Sequence, residues 1–468
     1  MTPAPPDPAA VAGVRAACTA ADYTVQGLTD LLGPVASRAL LRDDLLAAAR
    51  VLRRDDSPLG RLARLFLLGA TVQPGADLAP FDALGLTSGG RALLDLRPYD
   101  ELLVVSDLGS EVTDRAVDPE HVLGVGGASV TLALATPRAP VGRALDLGTG
   151  CGVQALHLGE HAGFVTATDT SPRALRLAAL SLALNARQAD LRQGDLLDPV
   201  AGEAFDLVVS NPPFVVGPPG RATYTYRDSG RPGDAVTASL LRDVPRVLSP
   251  GGTAVLLGNW EHRRGEDWRE RVGGWLAGSG CDAWVAQREV SDPAEYAALW
   301  LRDTGAQADP AAYDDWLDWF DAQGVEGVGF GVVGMRRVDA AEPAVTLEDV
   351  REPTAGVTGP ELAGRLERQG WLRQHDLATA HLVPAPDLAL TQTAAIGPDG
   401  WTVAGQVLGR AGQSTATDAI GVHLVAACDG RTPVGVLLAV LGAAHGFPAE
   451  NGLPAVRHLV ERGVLLPA

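Results

Sequence analysis

The chain of 468 residues contains no Lys, and all of its positive charge is arginine. Its 38 basic residues face 57 acidic ones, for a formal net charge of −19. Extended recognition of a phosphate backbone relies on clustered cations, so this balance argues against a nucleic-acid-coating surface and leaves only local contacts open. Cysteine is equally sparse. Cys18, Cys151, Cys281 and Cys428 are scattered without metal-ligand spacing, as expected of free thiols in a reducing compartment. No apolar run approaches membrane-spanning length. The amino terminus opens on prolines and acids rather than on a basic region followed by an apolar stretch. A soluble, cytoplasmic protein without membrane association is expected. What the chain has instead is 46% hydrophobic residues and 55 glycines. Its length predicts two or three domains with substantial cores.

The glycines concentrate meaningfully at one place. Arg143-Ala144-Leu145-Asp146-Leu147 is a short apolar run ending in Gly148-Thr149-Gly150-Cys151-Gly152. It predicts a buried parallel strand whose loop turns sharply and approaches a ligand closely. The Gly-x-Gly-x-Gly spacing differs from the Gly-x-Gly-x-x-Gly of dinucleotide dehydrogenases, which points away from a nicotinamide cofactor. Phe164–Thr168 predicts the next strand and leaves Asp169 at its carboxyl end. A carboxylate there can accept from both hydroxyls of a ribose; the alternative is a cap for the helix opening at Ser171-Pro172. Asp195, in Gln193-Gly194-Asp195-Leu196, follows another extended stretch and is either a ligand contact or a turn aspartate.

Asn211-Pro212-Pro213-Phe214 follows a third apolar run, Phe205–Ser210, and is the most specific signal. Two prolines fix the backbone and remove two donors, so the loop presents acceptors. The Asn211 side-chain oxygen and the Pro212 carbonyl can together accept both hydrogens of an amino or amide nitrogen. Such a nitrogen has a delocalised, weakly nucleophilic lone pair. Catalysis would then rest on positioning and electrostatics rather than on a strong base. Phe214 offers a face for a flat target group.

Glycine loop, acid after the next strand and Asn-Pro-Pro-aromatic occur in the order found in S-adenosylmethionine-dependent methyltransferases acting on planar nitrogens. The chain resembles that superfamily. Over about residues 120–290 it looks most like the release-factor glutamine methyltransferases, because Val215-Val216-Gly217-Pro218-Pro219 continues the motif as in their archaeal and eukaryotic branch. Phe214 departs from the usual Tyr and is frequent in ribosomal-RNA guanine methyltransferases. The resemblance implies a doubly wound, mostly parallel α/β sheet and S-adenosyl-L-methionine as cofactor. It implies a binding set of Asp146, Gly148, Thr149, Gly150, Gly152, Asp169, Thr170, Asp195, Leu196 and Asn211, with Leu196 packing on the adenine. Asn211, Pro212 and Phe214 are the implied catalytic group. Pro213, Arg227 and Arg231 are expected on the substrate side, the two arginines alternatively being solvated loop charges. Gly127 and Ser129 lie in the segment expected over the methionine end. The acceptor expected is a protein side-chain amide, in a translation factor or ribosome-associated protein. The alternatives are an exocyclic base amine of RNA or DNA, or cofactor binding without turnover.

Around this centre, residues 1–110 predict a mainly helical unit, with Leu41, Leu45, Ala48 and Leu52 on one helical face and a second helix from Ser57-Pro58. Leu102–Val105 and His121–Val125 read as extended. The methyltransferase-like domain is expected over 111–340, with a turn at Ser249–Gly252, a strand Thr253–Leu257, and helices opening at Asp292-Pro293 and Asp309-Pro310. Trp300, Trp316, Trp319 and Phe320 have helical spacing and are read as packing. Residues 350–468 predict a small α+β, winged-helix-like unit, with a hairpin at Gly397–Gly400 and helices from Thr432-Pro433 and Leu453.

Overall fold

A computed structural model describes residues 3–42, 44–109, 112, 118–218, 231–303, 309–350, 357–398, 400–410 and 413–468. Two compact units emerge. The first comprises Met1–Ala133, Ala139–Trp275 and Val290–Phe330; the second comprises Leu134–Arg138, Leu276–Glu289 and Gly331–Ala468.

The first unit is built on parallel strands β1 (Val141–Leu147), β2 (Ala162–Asp169), β3 (Asp190–Gln193), β4 (Phe205–Ser210) and β5 (Leu248–Arg263). Their spatial order is β5-β4-β1-β2-β3, with the strand Val325–Arg337 beyond β5. The registers are parallel throughout: Leu145 faces Thr166, Asp146 faces Val209, Ala167 faces Leu191 and Val209 faces Val255. Because the sheet is covered on both faces, its strands are nearly continuous apolar runs, with Ala144, Leu145, Val208 and Val255 fully buried. Strand order reverses between β1 and β4. Loops on either side of such a switch diverge and leave a crevice at the carboxyl ends.

Helices α1 (Gly127–Ala135), α2 (Val153–Leu158), α3 (Pro172–Leu184), α4 (Ala235–Asp243), α5 (Trp268–Leu276), α6 (Pro293–Asp303) and α7 (Pro310–Gln323) accompany the strands. The start of α3 follows the predicted chemistry: Ser171 caps it, accepting from the Ala174 amide, with Pro172 at its first position. Helix α7 likewise begins at the Asp309 cap and stops at Gly324 in the left-handed region.

Ahead of the sheet, helices span Pro8–Ala20, Val25–Leu40, Leu46–Leu52 and Pro58–Leu62. Leu32, Ala36, Ala48, Leu52, Ala63 and Leu67 form one apolar cluster. The face expected through Leu41 is not formed. Helix Val25–Leu40 ends before it, and Leu41 is 85% exposed. Strand Leu102–Ser106 is tied to α3: Asn185 Oδ1 accepts from the Leu103 amide, and Ser181 Oγ from the Val105 amide.

In the second unit, strands Cys281–Ser291 and Val345–Asp349 pair in parallel. Helix Gly359–Gln374 leads to a short strand at Leu382–Pro384, then to the antiparallel trio Ala389–Gly397, Gly400–Arg410 and Gln413–Thr417. Helices Ala419–Ala427, Val434–His445 and Leu453–Glu461 come after this hairpin, and strand Leu465–Pro467 returns to Leu382–Pro384. No helix among the described residues is long and apolar enough to cross a membrane.

Candidate active site

The carboxyl ends of β1, β2 and β4 open on a cavity of about 350 Å³, within the range of small-molecule sites. Gly148, Thr149, Gly150, Asp169, Thr170, Asp195, Leu196, Asn211, Pro212 and Pro213 line it, together with Gly127, Ser129 and, unanticipated by the sequence reading, His121 and Trp300.

The glycine loop is held from below. Thr168 O accepts from the amides of Gly148 at 3.0 Å and Thr149 at 2.9 Å. Gly148 and Gly150 have φ of +77° and +53°, a region that favours glycine. A Cβ at Gly150 would meet nothing within 4 Å, so it would stand in the space a ligand needs. Gly152 serves packing instead: its Cβ would lie 3.1 Å from Ala178 on α3. Asp146 also faces inward. It is 1% exposed, and its Oδ2 accepts from Thr149 Oγ1 at 2.6 Å and the Ala155 amide at 3.0 Å. Burial pushes its carboxyl up to about 7, against those two hydrogen bonds. Asp146 and Gly152 therefore shape the loop without lining the cavity.

Asp169 is the acid at the cavity edge. Its Oδ2 accepts from the Gly150 amide and its Oδ1 from the Ser171 amide, both at 2.9 Å. Each oxygen keeps a further lone pair, enough for two vicinal hydroxyls. Burial raises its carboxyl above the ordinary range even though backbone amides of Ser171, Gly150 and Thr170 favour the charge. Leu196, beside Asp195, sits at φ +44°. A branched residue in that region costs about 1–3 kcal/mol and marks a constrained turn.

Across the cavity, Ser210 Oγ donates to Leu147 O at 2.8 Å and locks β4 against β1. This delivers Asn211, whose Oδ1 is buried and has no hydrogen-bond partner among the described residues. An orphaned acceptor facing a cavity awaits a donor. Phe214, expected as the flat face, is half-buried and does not line the cavity; Trp300 does. Arg231 lies away from it, donating to Ser239 Oγ at 3.2 Å, and Arg227 falls outside the described residues. His121–Val125, read as extended, joins no strand, and its residues His121–Gly124 line the cavity. Asp107 holds it there, accepting from the Val122 amide at 2.9 Å while paired with Arg173. Burial alone would raise the Asp107 carboxyl, but the Arg173 guanidinium and the Val122 amide keep it below the ordinary range.

Residues 124–263 match the methyltransferase small domain. The match bears out the resemblance read from the glycine loop. Two domains of unknown function match on either side, DUF7059 over residues 20–91 and DUF7782 over 363–467. The ribosomal RNA small subunit methyltransferase C of Alcanivorax borkumensis is 33% identical over 26% of this chain and 33% of its own. The ribosomal protein uL3 glutamine methyltransferase of Xanthomonas campestris pv. campestris is 32% identical over 37% of this chain and 52% of its own. The release factor glutamine methyltransferase of Deinococcus radiodurans is 38% identical over 24% and 44%. The chain thus spans between a third and about half of the length of these relatives.

Trp300, Trp316 and Phe320 lie beyond the methyltransferase small domain match. Trp316 and Phe320 belong to an apolar cluster, as read, but Trp300 only packs against its edge. The sequence signal for Trp300 was its position one helical turn after Tyr296. Cys151, within the glycine loop, is buried with its thiol pushed up to about 11, so it is no nucleophile at neutral pH. No metal-holding group of His, Cys, Asp or Glu occurs among the described residues.

Proposed function

We propose that this protein is an S-adenosyl-L-methionine-dependent N-methyltransferase whose acceptor is a side-chain amide, glutamine, in a translation-associated protein. The observation that carries the reading is the orphaned Asn211 Oδ1 in the cavity that also holds Asp169 and the glycine loop. The residues present fit the cofactor. Asp169 would hold the ribose hydroxyls, Asp195 and Leu196 the adenine, and the open space over Gly148 and Gly150 would take the backbone-hugging middle of the molecule. When bound, the cofactor supplies an electrophilic methyl group on a positively charged sulfur.

Asn211 Oδ1 and the Pro212 carbonyl accept the two amide hydrogens and hold the nitrogen in line with that methyl group. Their pull on both N–H bonds weakens the conjugation of the nitrogen with its carbonyl. The nitrogen so held would take up the methyl group that the cofactor supplies, and the proton it then sheds would pass to water. No strong base is required.

A protein acceptor is supported by the net charge of −19 and by two relatives named as glutamine methyltransferases. A second reading, an exocyclic amine of ribosomal RNA, is favoured by the relative from Alcanivorax borkumensis. Transfer of a tritiated methyl group into fractionated lysate, followed by protease or nuclease, separates them. Label lost to protease supports the amide. Label surviving protease and lost to nuclease, with affinity falling at a log–log salt slope of about 0.7 to 0.9 per phosphate contact, would replace it with the base amine.

A further inference from the structure

We propose that Trp300, not Phe214, is the aromatic face on which the planar acceptor group is held, with Tyr296 as the residue that positions it. The inference rests on the methyl-transfer reading above and names the acceptor-side wall of that site.

Helix α6 carries both residues four positions apart, which places them on one face. Tyr296 is fully buried. Its hydroxyl accepts from the Val216 amide at 2.9 Å and from Asn259 Nδ2 at 2.9 Å. Val216 lies five residues after Asn211, so α6 is fastened to the segment that carries the acceptor motif, not to the ribose side at Asp169. The Tyr296 ring meets the Trp300 ring edge-on, with centroids 6.0 Å apart and planes at 60°. Phe330 supports Tyr296 from another side, at 5.4 Å. One turn beyond this anchor, Trp300 reaches the cavity that Asn211, Pro212 and Pro213 also line. An indole presents a broad apolar face, and a flat amide or base lying on it is held in one plane. The hydrogen-bond acceptors of Asn211 and Pro212 then act on a nitrogen whose plane is already set. Asn259 and Tyr296 spend their polar groups on each other and on Val216, which fixes the distance between wall and clamp.

The test uses the full chain with Trp300→Ala, Trp300→Phe, Tyr296→Phe and, as a control, Leu299→Ala, a 39% exposed neighbour. Turnover is measured on a purified release factor, ribosomal protein uL3 and naked small-subunit ribosomal RNA. Loss of the aromatic face raises the acceptor KM about tenfold or more in Trp300→Ala, the equivalent of one aromatic contact. Trp300→Phe restores most of it, while S-adenosylhomocysteine affinity by calorimetry stays within about twofold in both variants. Tyr296→Phe lowers kcat more than it raises KM, because the wall survives and its alignment does not. An unchanged KM in Trp300→Ala, with transfer by the wild type intact, sinks the wall and leaves methyl transfer standing. If the wild type methylates none of the acceptors, the functional reading fails and fluorine NMR decides the wall separately. The nine tryptophans are replaced by 5-fluorotryptophan, and the Trp300 signal is assigned by its loss in Trp300→Phe. With S-adenosylhomocysteine saturating, a saturable shift of that signal on adding N-acetylglutamine methylamide or 9-methyladenine retains the wall, and an unmoved signal overturns it.

Discussion

Replacing Asn211 by Ala separates catalysis from stability in a way that few active-site substitutions do. The side-chain oxygen is buried and unpaired among the described residues. An unmet buried acceptor costs about 1–3 kcal/mol, so the wild-type protein carries this penalty until an acceptor substrate arrives. Truncation removes the penalty along with the group. The melting transition that responds to S-adenosylhomocysteine should therefore stay where it is or rise by a few degrees, at roughly 2–4 °C per kcal/mol for a unit of this size. Turnover should move the opposite way. As the nitrogen attacks, it gains positive charge, and the hydrogen bond to Asn211 becomes charge-assisted, worth about 1.5–3 kcal/mol or about 10- to 150-fold in rate. Losing one of two clamps also frees the amide to rotate, and misalignment near 1 Å costs about another hundredfold. The product is a loss of about a thousandfold or more in kcat, with S-adenosylhomocysteine affinity near wild type because the ribose contacts at Asp169 are untouched. The assay is single-turnover methyl transfer beside scanning calorimetry on the same sample. Activity within a few-fold of wild type would refute the clamp. A drop of several degrees in the melting temperature would show that Oδ1 already has a partner, and the reasoning from the orphaned acceptor would fall with it.

Asp169→Ala should weaken S-adenosylhomocysteine binding by roughly 1.5–3 kcal/mol for each of two charge-assisted ribose contacts before water compensates. Because burial raises this carboxyl, wild-type affinity should also decline on acidification earlier than an ordinary aspartate would dictate, and NAD should not bind at any pH; unchanged calorimetric affinity in the variant would remove Asp169 from the ribose role. Asp146 gives a stability prediction. Its carboxyl is raised from 3.8 to about 7, so the folded state keeps a proton that the unfolded chain releases. Unfolding free energy should then fall as pH rises from about 4 to about 7, by at most roughly 4 kcal/mol for this group. Asp146→Asn should flatten that part of the slope in urea titrations, and an identical slope would contradict the assignment. Arg271→Ala should cost about 3–5 kcal/mol, since it strips the guanidinium from Asp234, 6% exposed, and leaves Glu261, 1% exposed, with Arg263 alone; a loss below 1 kcal/mol would show that water reaches the pair.

The place of the candidate site was legible because it sits on three short strands with loops whose backbone demands are residue-specific. Positive φ at Gly148 and Gly150 can be read from glycine spacing, and the acceptor-rich turn at Asn211 from two prolines. What escaped is tertiary. Strand β5 was expected over Thr253–Leu257, yet it spans Leu248–Arg263 with Asn259 and Glu261 both buried. Burial there follows from partners distant in sequence: Tyr296 for Asn259, and Arg263 and Arg271 for Glu261. Trp300 was read as packing for the same reason, since helical spacing states which residues share a face but not what that face meets. The turn expected at Ser249–Gly252 falls within β5, where the pairing jumps from Leu248 to Thr253 opposite Phe205 and Leu207 and Gly251 has φ +77°, an irregularity that period-two patterning does not announce.

These buried polar groups of β5 share a position in the fold that accounts for them. Asn259 reaches Tyr296, and through it the Val216 amide, just after the acceptor motif. Two residues on, the Glu261 amide donates to Asp234 Oδ2 at 3.1 Å, and Arg271 grips Asp234 with Nε at 2.8 Å and Nη2 at 2.7 Å. Val216, through Tyr296, and Asp234 are thus both fastened to one strand of the sheet. A purely apolar β5 would pack as well and cost less desolvation. It could not fix Val216 and Asp234 in the same way, because apolar contacts slide and hydrogen bonds to a buried tyrosine and a forked arginine do not. Burial of Glu261, and then the neighbouring charge of Asp234, raises the Glu261 carboxyl, a cost the fold carries at its core strand. The return is that Val216, five residues after Asn211, and Asp234 are both tied to the same strand by directional bonds.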